Sequence, residues 1–361
     1  MQKSNLISQI FVVLLVITLV TSCKGQSASE NEKTLPEHPK KEASQIGEYI
    51  VEIFEDSQGN LWFGTLEKGV AKYDGASLKY YTTEDGLPSN RVVSMEEDQD
   101  GNLWFGTGAG ISKYDGKTFI NFTKSDGLCE DSISNLLIDK AGILWIGTWN
   151  GVCTFDDTTF TKVTIPRPAI KTPLNKGTEN WVTALFEDSK GRIWISRDGY
   201  GITRYDGRTY AHFTKTDGLA SNNVQTVQED AQGHLWFGSR VGEKDNPDPE
   251  KRQGSGGLNN YDGTKVTSFP NLDGLHHNDV YQIYKDAKEN LWISTINKGI
   301  YTYDGERFTN YPVLDPITKN PKAVMTFLED RNGTLWIGCA GGLFKLTSEG
   351  VVNITTEGPW D

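Results

Sequence analysis

One unit repeats seven times along the chain, and this repetition limits the possible folds more than any other feature. In every copy an Asp stands six residues before a Trp, at Asp56/Trp62, Asp98/Trp104, Asp139/Trp145, Asp188/Trp194, Asp230/Trp236, Asp286/Trp292 and Asp330/Trp336. Successive Trp lie 41 to 56 residues apart, and an apolar β-forming residue stands six positions before each Asp. Seven phased copies indicate a repeat architecture, because unrelated domains would not share one spacing.

Each unit contains four short strand-like runs separated by turn residues. In the second copy these are Val92–Glu97, Leu103–Thr107, Gly110–Tyr114 and Phe119–Thr123. A lone four-stranded sheet leaves two edges and two faces uncovered, whereas seven sheets stacked around an axis bury one another's faces. We therefore predict an all-β fold, a single seven-bladed β-propeller of four-stranded antiparallel blades over residues 48–361. The units begin on a first strand and end on a fourth, so the ring should close without a strand borrowed from the other terminus.

The repeated residues have structural interpretations. We expect the seven repeated Trp to fill space between adjacent blades, and the repeated Asp to accept backbone N–H groups of its own turn. Acidic residues also stand just before five of these Asp. They either ring the mouth of the channel and hold a cation, or are solvated turn ends: Glu55, Glu97, Glu187, Glu229 and Glu329.

The pattern V-x-x-I/L-x-E-D-x-x-G-x-L-W-I/F-G-T, followed by G-I-x-x-Y-D-G and D-G-L, resembles the two-component regulator propeller repeat. Val92–Thr107 with Gly110–Gly116 and Val224–Ser239 are good instances. The resemblance implies the propeller fold and a sensor-like role, since such repeats usually form periplasmic sensors of hybrid histidine kinases, often tuned to glycans. Those sensors add a second propeller, a β-sandwich, a membrane helix and kinase domains. We expect a stand-alone propeller here, so the kinase function is not carried over.

The N-terminal segment is typical of an export signal. Lys3 is followed by an apolar run, Ile10–Val20, that is too short for a membrane-spanning helix and suits a signal peptide. The run leads to Val20-Thr21-Ser22-Cys23, which resembles a bacterial lipobox. We expect a lipoprotein signal peptide at 1–22, lipidation of Cys23, a flexible tether at 23–47, and a location at the outer membrane facing the periplasm. An ordinary secretory peptide cut nearby is the alternative.

Charge and motif content exclude several classes of function. A formal charge of −12 argues against nucleic-acid binding, since tracking phosphates needs clustered Lys and Arg. The chain shows no nucleophile elbow, Cys-His pair or phosphate-binding glycine loop. We therefore expect no enzyme activity, no cofactor and no metal, with membrane contact through the lipid anchor only. The pairing of Cys129, Cys153 and Cys339 stays open at this stage.

The irregular segments of the repeats all belong to one face of the expected disc. They are Pro166–Trp181, Arg240–Gly257 and Pro312–Lys322, and variation on one face of a repeat scaffold is how binding sites usually arise. This face is predicted to bind ligand through Trp149, Trp181, Arg197, Tyr200, Arg240, His276 and His277. Trp149 and Trp181 are equally well explained as loop cores, the His pair as a solvated turn, and Arg197 as a local ion-pair partner.

Three functions fit these observations. The first is a non-catalytic binding module for a glycan or an envelope protein. The second is a polysaccharide lyase or hydrolase with His276 or His277 as base, Tyr200 as acid and Arg197 holding a uronate. The third is a purely structural assembly protein.

Overall fold

The computed structural model describes residues 45–360 except 48, 171–177, 179, 242–254, 270–274, 276, 316, 357 and 359. Within these described residues, twenty-eight strands form seven antiparallel sheets of four, each in sequence order. The first four blades are β1 (Ile50–Glu55), β2 (Leu61–Thr65), β3 (Val70–Tyr73) and β4 (Leu78–Tyr81); β5 (Val92–Glu97), β6 (Leu103–Thr107), β7 (Gly110–Tyr114) and β8 (Phe119–Phe122); β9 (Ile133–Ile138), β10 (Leu144–Thr148), β11 (Gly151–Phe155) and β12 (Phe160–Val163); β13 (Val182–Glu187), β14 (Ile193–Arg197), β15 (Gly201–Tyr205) and β16 (Tyr210–Phe213).

The remaining three blades follow the same plan. They are β17 (Val224–Glu229), β18 (Leu235–Val241), β19 (Ser255–Tyr261) and β20 (Val266–Ser268); β21 (Ile283–Lys285), β22 (Leu291–Ser294), β23 (Ile300–Tyr303) and β24 (Phe308–Tyr311); β25 (Val324–Glu329), β26 (Leu335–Cys339), β27 (Gly342–Thr347) and β28 (Gly350–Asn353). Two 3-10 turns, Lys124–Asp126 and Lys215–Asp217, carry the Asp-Gly-Leu motif of their connections. The prediction of an all-β seven-bladed propeller is confirmed.

The first strand of each blade is innermost. These strands contact one another in chain order, and β25 contacts β1, so the seven blades form a closed ring. Each blade keeps its own four consecutive strands, which confirms that no strand is exchanged between the termini. The second strands carry the repeated Trp, and each of the seven hydrophobic clusters contains residues from two adjacent blades around such a Trp, as expected for inter-blade packing.

The repeated Asp fastens its turn and the repeated Trp together. In the second blade Asp98 Oδ1 accepts the backbone N–H of Asp100 at 3.1 Å and of Asn102 at 2.8 Å, while Oδ2 accepts the indole N–H of Trp104 at 3.0 Å. The indole bond recurs in all seven blades, at 2.7 to 3.0 Å. The structural role of the Asp is confirmed, and its bond to the Trp is an addition that the spacing of six had not revealed.

The two ends of the described chain complete the contact between the last and first blades. In three other connections, the Leu of Asp-Gly-Leu donates its N–H to a Thr carbonyl five residues earlier, as Leu87 does to Thr82 at 3.2 Å. Where the ring closes, Ile46 donates to the carbonyl of Thr355 at 3.1 Å, so the motif is rebuilt from both ends. Ile46 and Trp360 are both buried in the cluster between these blades.

Candidate functional site

Antiparallel strand order defines the two faces of the ring. Turns between first and second strands and between third and fourth strands lie on one face, which we call the turn face. Loops between second and third strands and the blade-to-blade connections lie on the other, which we call the connection face. The irregular segments identified in the sequence therefore lie on the connection face, although 171–177, 179, 242–254 and 316 fall outside the described residues.

A ring of backbone hydrogen bonds surrounds the channel mouth on the connection face. In six blades, a residue at or near the end of the second strand donates its backbone N–H to the carbonyl of a residue shortly before the start of the first strand. The pairs, which we call the mouth ring, are Gly108/Arg91, Trp149/Ser132, Asp198/Trp181, Arg240/Asn223, Ile296/Asp279 and Ala340/Ala323. Because the first strands are innermost, side chains at these positions stand around the central channel.

The mouth ring brings aromatic and charged side chains of three consecutive blades together. Trp149 stacks on Trp181 with ring centroids 5.1 Å apart and planes inclined by 26°. The guanidinium of Arg240 lies 5.5 Å from the centre of the Trp181 ring and 3.4 Å from a carboxylate oxygen of Asp198. Trp149 remains 37% exposed, the only Trp so exposed in the described part of the chain. The result is a solvent-facing aromatic surface with the positively charged guanidinium of Arg240 held at its edge.

Tyr281 extends this cluster towards the channel. It hydrogen-bonds the Arg240 side chain, and burial with the nearby Asp279 carboxylate raises the pKa of its phenol, partly offset by Arg240. Neither Asp198 nor Tyr281 was predicted from the sequence. A sequence signal for Asp198 exists in its position in the repeat. It directly follows a second strand, as the predicted site residue Trp149 does.

Arg197 and Tyr200 lie below the surface. Arg197 is 3% exposed, donates to the carbonyls of Ile165 at 3.4 Å and Pro166 at 2.6 Å, and lies 5.0 Å above the Tyr200 ring. Burial and the like charge of Arg167 lower the pKa of Arg197 to about 10, although Tyr200 opposes the shift. This pair anchors the connection between the third and fourth blades. Their ligand-binding role stays a prediction, as does that of the other residues.

The predicted histidines contribute less to this surface. His277 is exposed with φ of 58°, and His276 lies outside the described residues, as does Cys23. His212 faces away from the mouth in β16, where its Nδ1 lies 3.0 Å from the hydroxyl of Thr203. Among the residues that the structure describes, no three His, Cys, Asp or Glu side chains come together as a metal site.

The five acidic residues on the turn face are hydrogen-bonded to backbone groups and are not solvated turn ends, while their cation-binding role stays a prediction. Each accepts a backbone N–H from the turn of the blade before it in the ring, as when Glu229 accepts the N–H of Ser189 at 2.6 Å and its hydroxyl at 2.7 Å. Such carboxylate bonds join neighbouring blades. The equivalent contacts of the others are Glu97 with Ser57, Glu187 with Lys140, Glu329 with Ala287 and Glu55 with Arg331.

The structure also shows the pairing of the three cysteines within the propeller. Cys129 and Cys153 form a disulfide between the connection after the second blade and β11, and Cys339 is a buried free thiol. In the described part of the chain no helix is long and apolar enough to cross a membrane.

Comparisons with known proteins agree with the repeat pattern. The two component regulator propeller model matches seven times, at residues 44–67, 86–109, 127–150, 176–196, 218–240, 274–297 and 319–341. No curated protein matches the chain.

Solved structures include similar propellers. The extracellular domain of a hybrid two component system protein from B. thetaiotaomicron is 20% identical, with a TM-score of 0.44 over 84% of this chain and 45% of that one. PorZ, a surface component of the type-IX secretion system of Porphyromonas gingivalis, is 17% identical with a TM-score of 0.62, over 83% and 46%. Virginiamycin B lyase from Staphylococcus aureus is 16% identical with a TM-score of 0.60, over 83% and 94%. The chain spans about half the length of the first two, and at these identities the last two share the fold alone.

Proposed function

Because the chain belongs to the two component regulator propeller family, we propose that it is a non-catalytic binding module of the bacterial envelope whose ligand is a glycan held at the mouth ring. The observation that carries the proposal is the exposed Trp149 ring, supported from below by Trp181. A flat aromatic surface provides a large contact area with little loss of side-chain entropy, and it suits the apolar face of a sugar ring.

Arg240 supplies polar recognition at the edge of this surface. Its guanidinium is held by Asp198 and by the Trp181 ring, so its position is set before a ligand arrives. Five N–H donors in a rigid plane can meet sugar hydroxyls or a carboxylate. The carboxylate closest to this arginine, that of Asp198, is buried and bonded to it. These features support binding more than acid–base chemistry.

Calorimetric titration with a panel of soluble neutral and uronate-containing glycans tests the site. We expect saturable binding of at least one glycan, weakened at least tenfold by Trp149→Ala. Ile120→Ala is the matched control, because it removes an exposed apolar side chain from the outer strand β8 and should leave the affinity within twofold. Equal affinities for the two variants would show that the ligand lies elsewhere.

Catalysis and protein partners are outcomes that this experiment distinguishes. A lyase acting through Tyr200 and Arg197 would require both buried side chains to reach substrate, and it would produce the ultraviolet absorbance of an unsaturated uronate. Recovery of intact glycan after incubation supports the binding module. A protein partner, or a purely structural assembly role, would show as a stoichiometric envelope protein recovered in a pull-down that added glycan does not displace.

We further propose that Cys23 carries the lipid anchor and places the module at the outer membrane, facing the periplasm. Several acyl chains hold a protein at a membrane without a spanning helix. Cys23→Ser should move the protein from the membrane fraction to the soluble extract. Retention in the membrane fraction would contradict the anchor while leaving the mouth-ring proposal intact.

A further inference from the structure

The central channel encloses a polar cavity of about 340 Å³. First strands, or the residues that precede them, from all seven blades line it, so side chains distant in sequence share one small space. The lining contains several amide and hydroxyl side chains, and among the described residues it holds no Lys, Arg or His.

Two carboxyl groups enter this cavity from adjacent blades. Glu52 lies on β1 and Glu96 on β5, and neither has an ion-pair partner among the described residues. A buried carboxylate is costly unless it is paired or coordinates a metal. Among the described lining residues no basic side chain pairs with these two groups, so a bound cation would supply the missing partner.

Two side-chain oxygen atoms that line the same cavity have no hydrogen-bond partner. At the third position of the first strands, or its equivalent in the sixth blade, the polar side chains of three blades bridge to the next blade. Ser94 accepts the N–H of Leu136 at 2.9 Å, and Thr226 accepts that of Ile283 at 3.2 Å. Thr326 occupies the equivalent position beside the first blade, is only 1% exposed, and its hydroxyl has no hydrogen-bond partner. The side-chain oxygen of Asn135 at that position is likewise unpartnered.

We propose that the channel is a binding site for a hard divalent cation, Ca²⁺ foremost, held by the carboxylates of Glu52 and Glu96 with the Thr326 and Asn135 oxygens among its neutral ligands. Two carboxylates balance the charge of a divalent ion. Carboxylate, amide and hydroxyl oxygens are the ligands that Ca²⁺ takes, in numbers and geometries that vary widely. The described lining residues include no imidazole or thiolate, which would favour zinc or another softer metal. The cation would join blades one, two, three and seven at the centre of the ring.

Terbium luminescence tests this site directly. Tb³⁺ is an oxygen-seeking probe for Ca²⁺ sites, and Tyr281 and Tyr284 line the same cavity and can sensitise its emission. In the full chain we expect saturable sensitised emission that Ca²⁺ displaces and Mg²⁺ displaces less well, because Mg²⁺ demands a stricter octahedral geometry. Absence of saturable emission, or emission that Ca²⁺ does not displace, would overturn the proposal.

Variants separate the channel from adventitious surface binding. Glu52→Gln and Glu96→Gln keep the side-chain shape and should each weaken Tb³⁺ binding at least tenfold, and Thr326→Val should weaken it several-fold. Glu306→Gln is the control, because it removes the same charge from an exposed hairpin on the turn face and should leave binding within twofold. Circular dichroism checks that each variant is folded. Equal binding by folded Gln variants and the control would assign the ion to the surface and refute the site.

Discussion

Replacing Trp360 with alanine should destabilise the whole ring, although the residue is the last but one of the chain. Its side chain is 2% exposed and fills the contact between the seventh and first blades. The ring centre lies 5.3 Å from that of Tyr73 and 6.3 Å from that of Phe63. The indole N–H is shared between the carbonyls of Ile354 at 3.2 Å and Thr355 at 3.3 Å.

The expected cost follows from this burial. Truncation of a buried Trp to Ala removes its transfer free energy and leaves a cavity, which lowers the free energy of unfolding by about 3–5 kcal/mol. Trp360→Phe keeps an aromatic ring and should lose about 1 kcal/mol for the unmade hydrogen bond plus a smaller packing term. Trp149→Ala is the control, because an exposed Trp outside the core should cost under about 1 kcal/mol.

Urea denaturation followed by far-ultraviolet circular dichroism measures the three free energies without relying on tryptophan emission. We expect the order Trp149→Ala, Trp360→Phe, Trp360→Ala in increasing loss of stability. If Trp360→Ala unfolds at the same urea concentration as the wild type, the chain ends do not hold the ring closed.

Three further predictions concern the turns and the cysteines. Asp188→Ala should lower the free energy of unfolding by about 3 kcal/mol in urea denaturation, because it leaves the buried Trp194 indole without its acceptor; an unchanged midpoint would contradict the role of this bond. Burial alone would raise the pKa of Asp188, but the hydrogen bonds from Trp194 and the turn lower that pKa by more. The net shift is therefore downward. Its stabilisation should be present above pH of about 4 and lost as the pH falls through the folded-state pKa, so that wild type loses more stability than Asp188→Ala between pH 7 and pH 3. Peptide mapping without reductant should recover Cys129 linked to Cys153, and Cys339, whose pKa burial raises, should react with thiol reagents only after unfolding; free Cys129 in the folded protein would refute the pairing.

The blade architecture could be predicted from the sequence because every local signal agrees with its copies. Spacing of Asp and Trp, alternation within strands and Asp-Gly turns each recur, and together they leave one arrangement that buries all the sheet faces. The bond between Asp98 and Trp104 is a three-dimensional consequence of a hairpin. A spacing of six indicates a relation between the residues but not which atoms meet.

The site depends on relations between blades, which a linear pattern does not encode. Trp149 and Trp181 belong to different blades, and only the mouth ring shows that their rings stack. Arg197 was predicted to bind ligand because it lies on the irregular face, yet its side chain is buried and bonds two carbonyls of the preceding connection. Whether a substituted residue faces solvent or the next blade is decided by packing.

The paired carboxyl groups of the channel and the side chains that join the two chain ends were missed for the same reason. Glu52 and Glu96 are unremarkable in sequence, and the charge problem arises only because the ring places both in one cavity. Ile46 takes the place of the motif's Leu where the ring closes, but it lies at the other end of the sequence and the missing Asp-Gly-Leu hid that equivalence.

A crystal structure of the protein soaked with a glycan that binds in calorimetry tests the central claim most directly. The account predicts a sugar ring stacked on the exposed face of Trp149, with a hydroxyl or carboxylate within hydrogen-bond distance of Arg240 and the glycan uncleaved. A glycan bound on the turn face, or found as cleaved product, would contradict it.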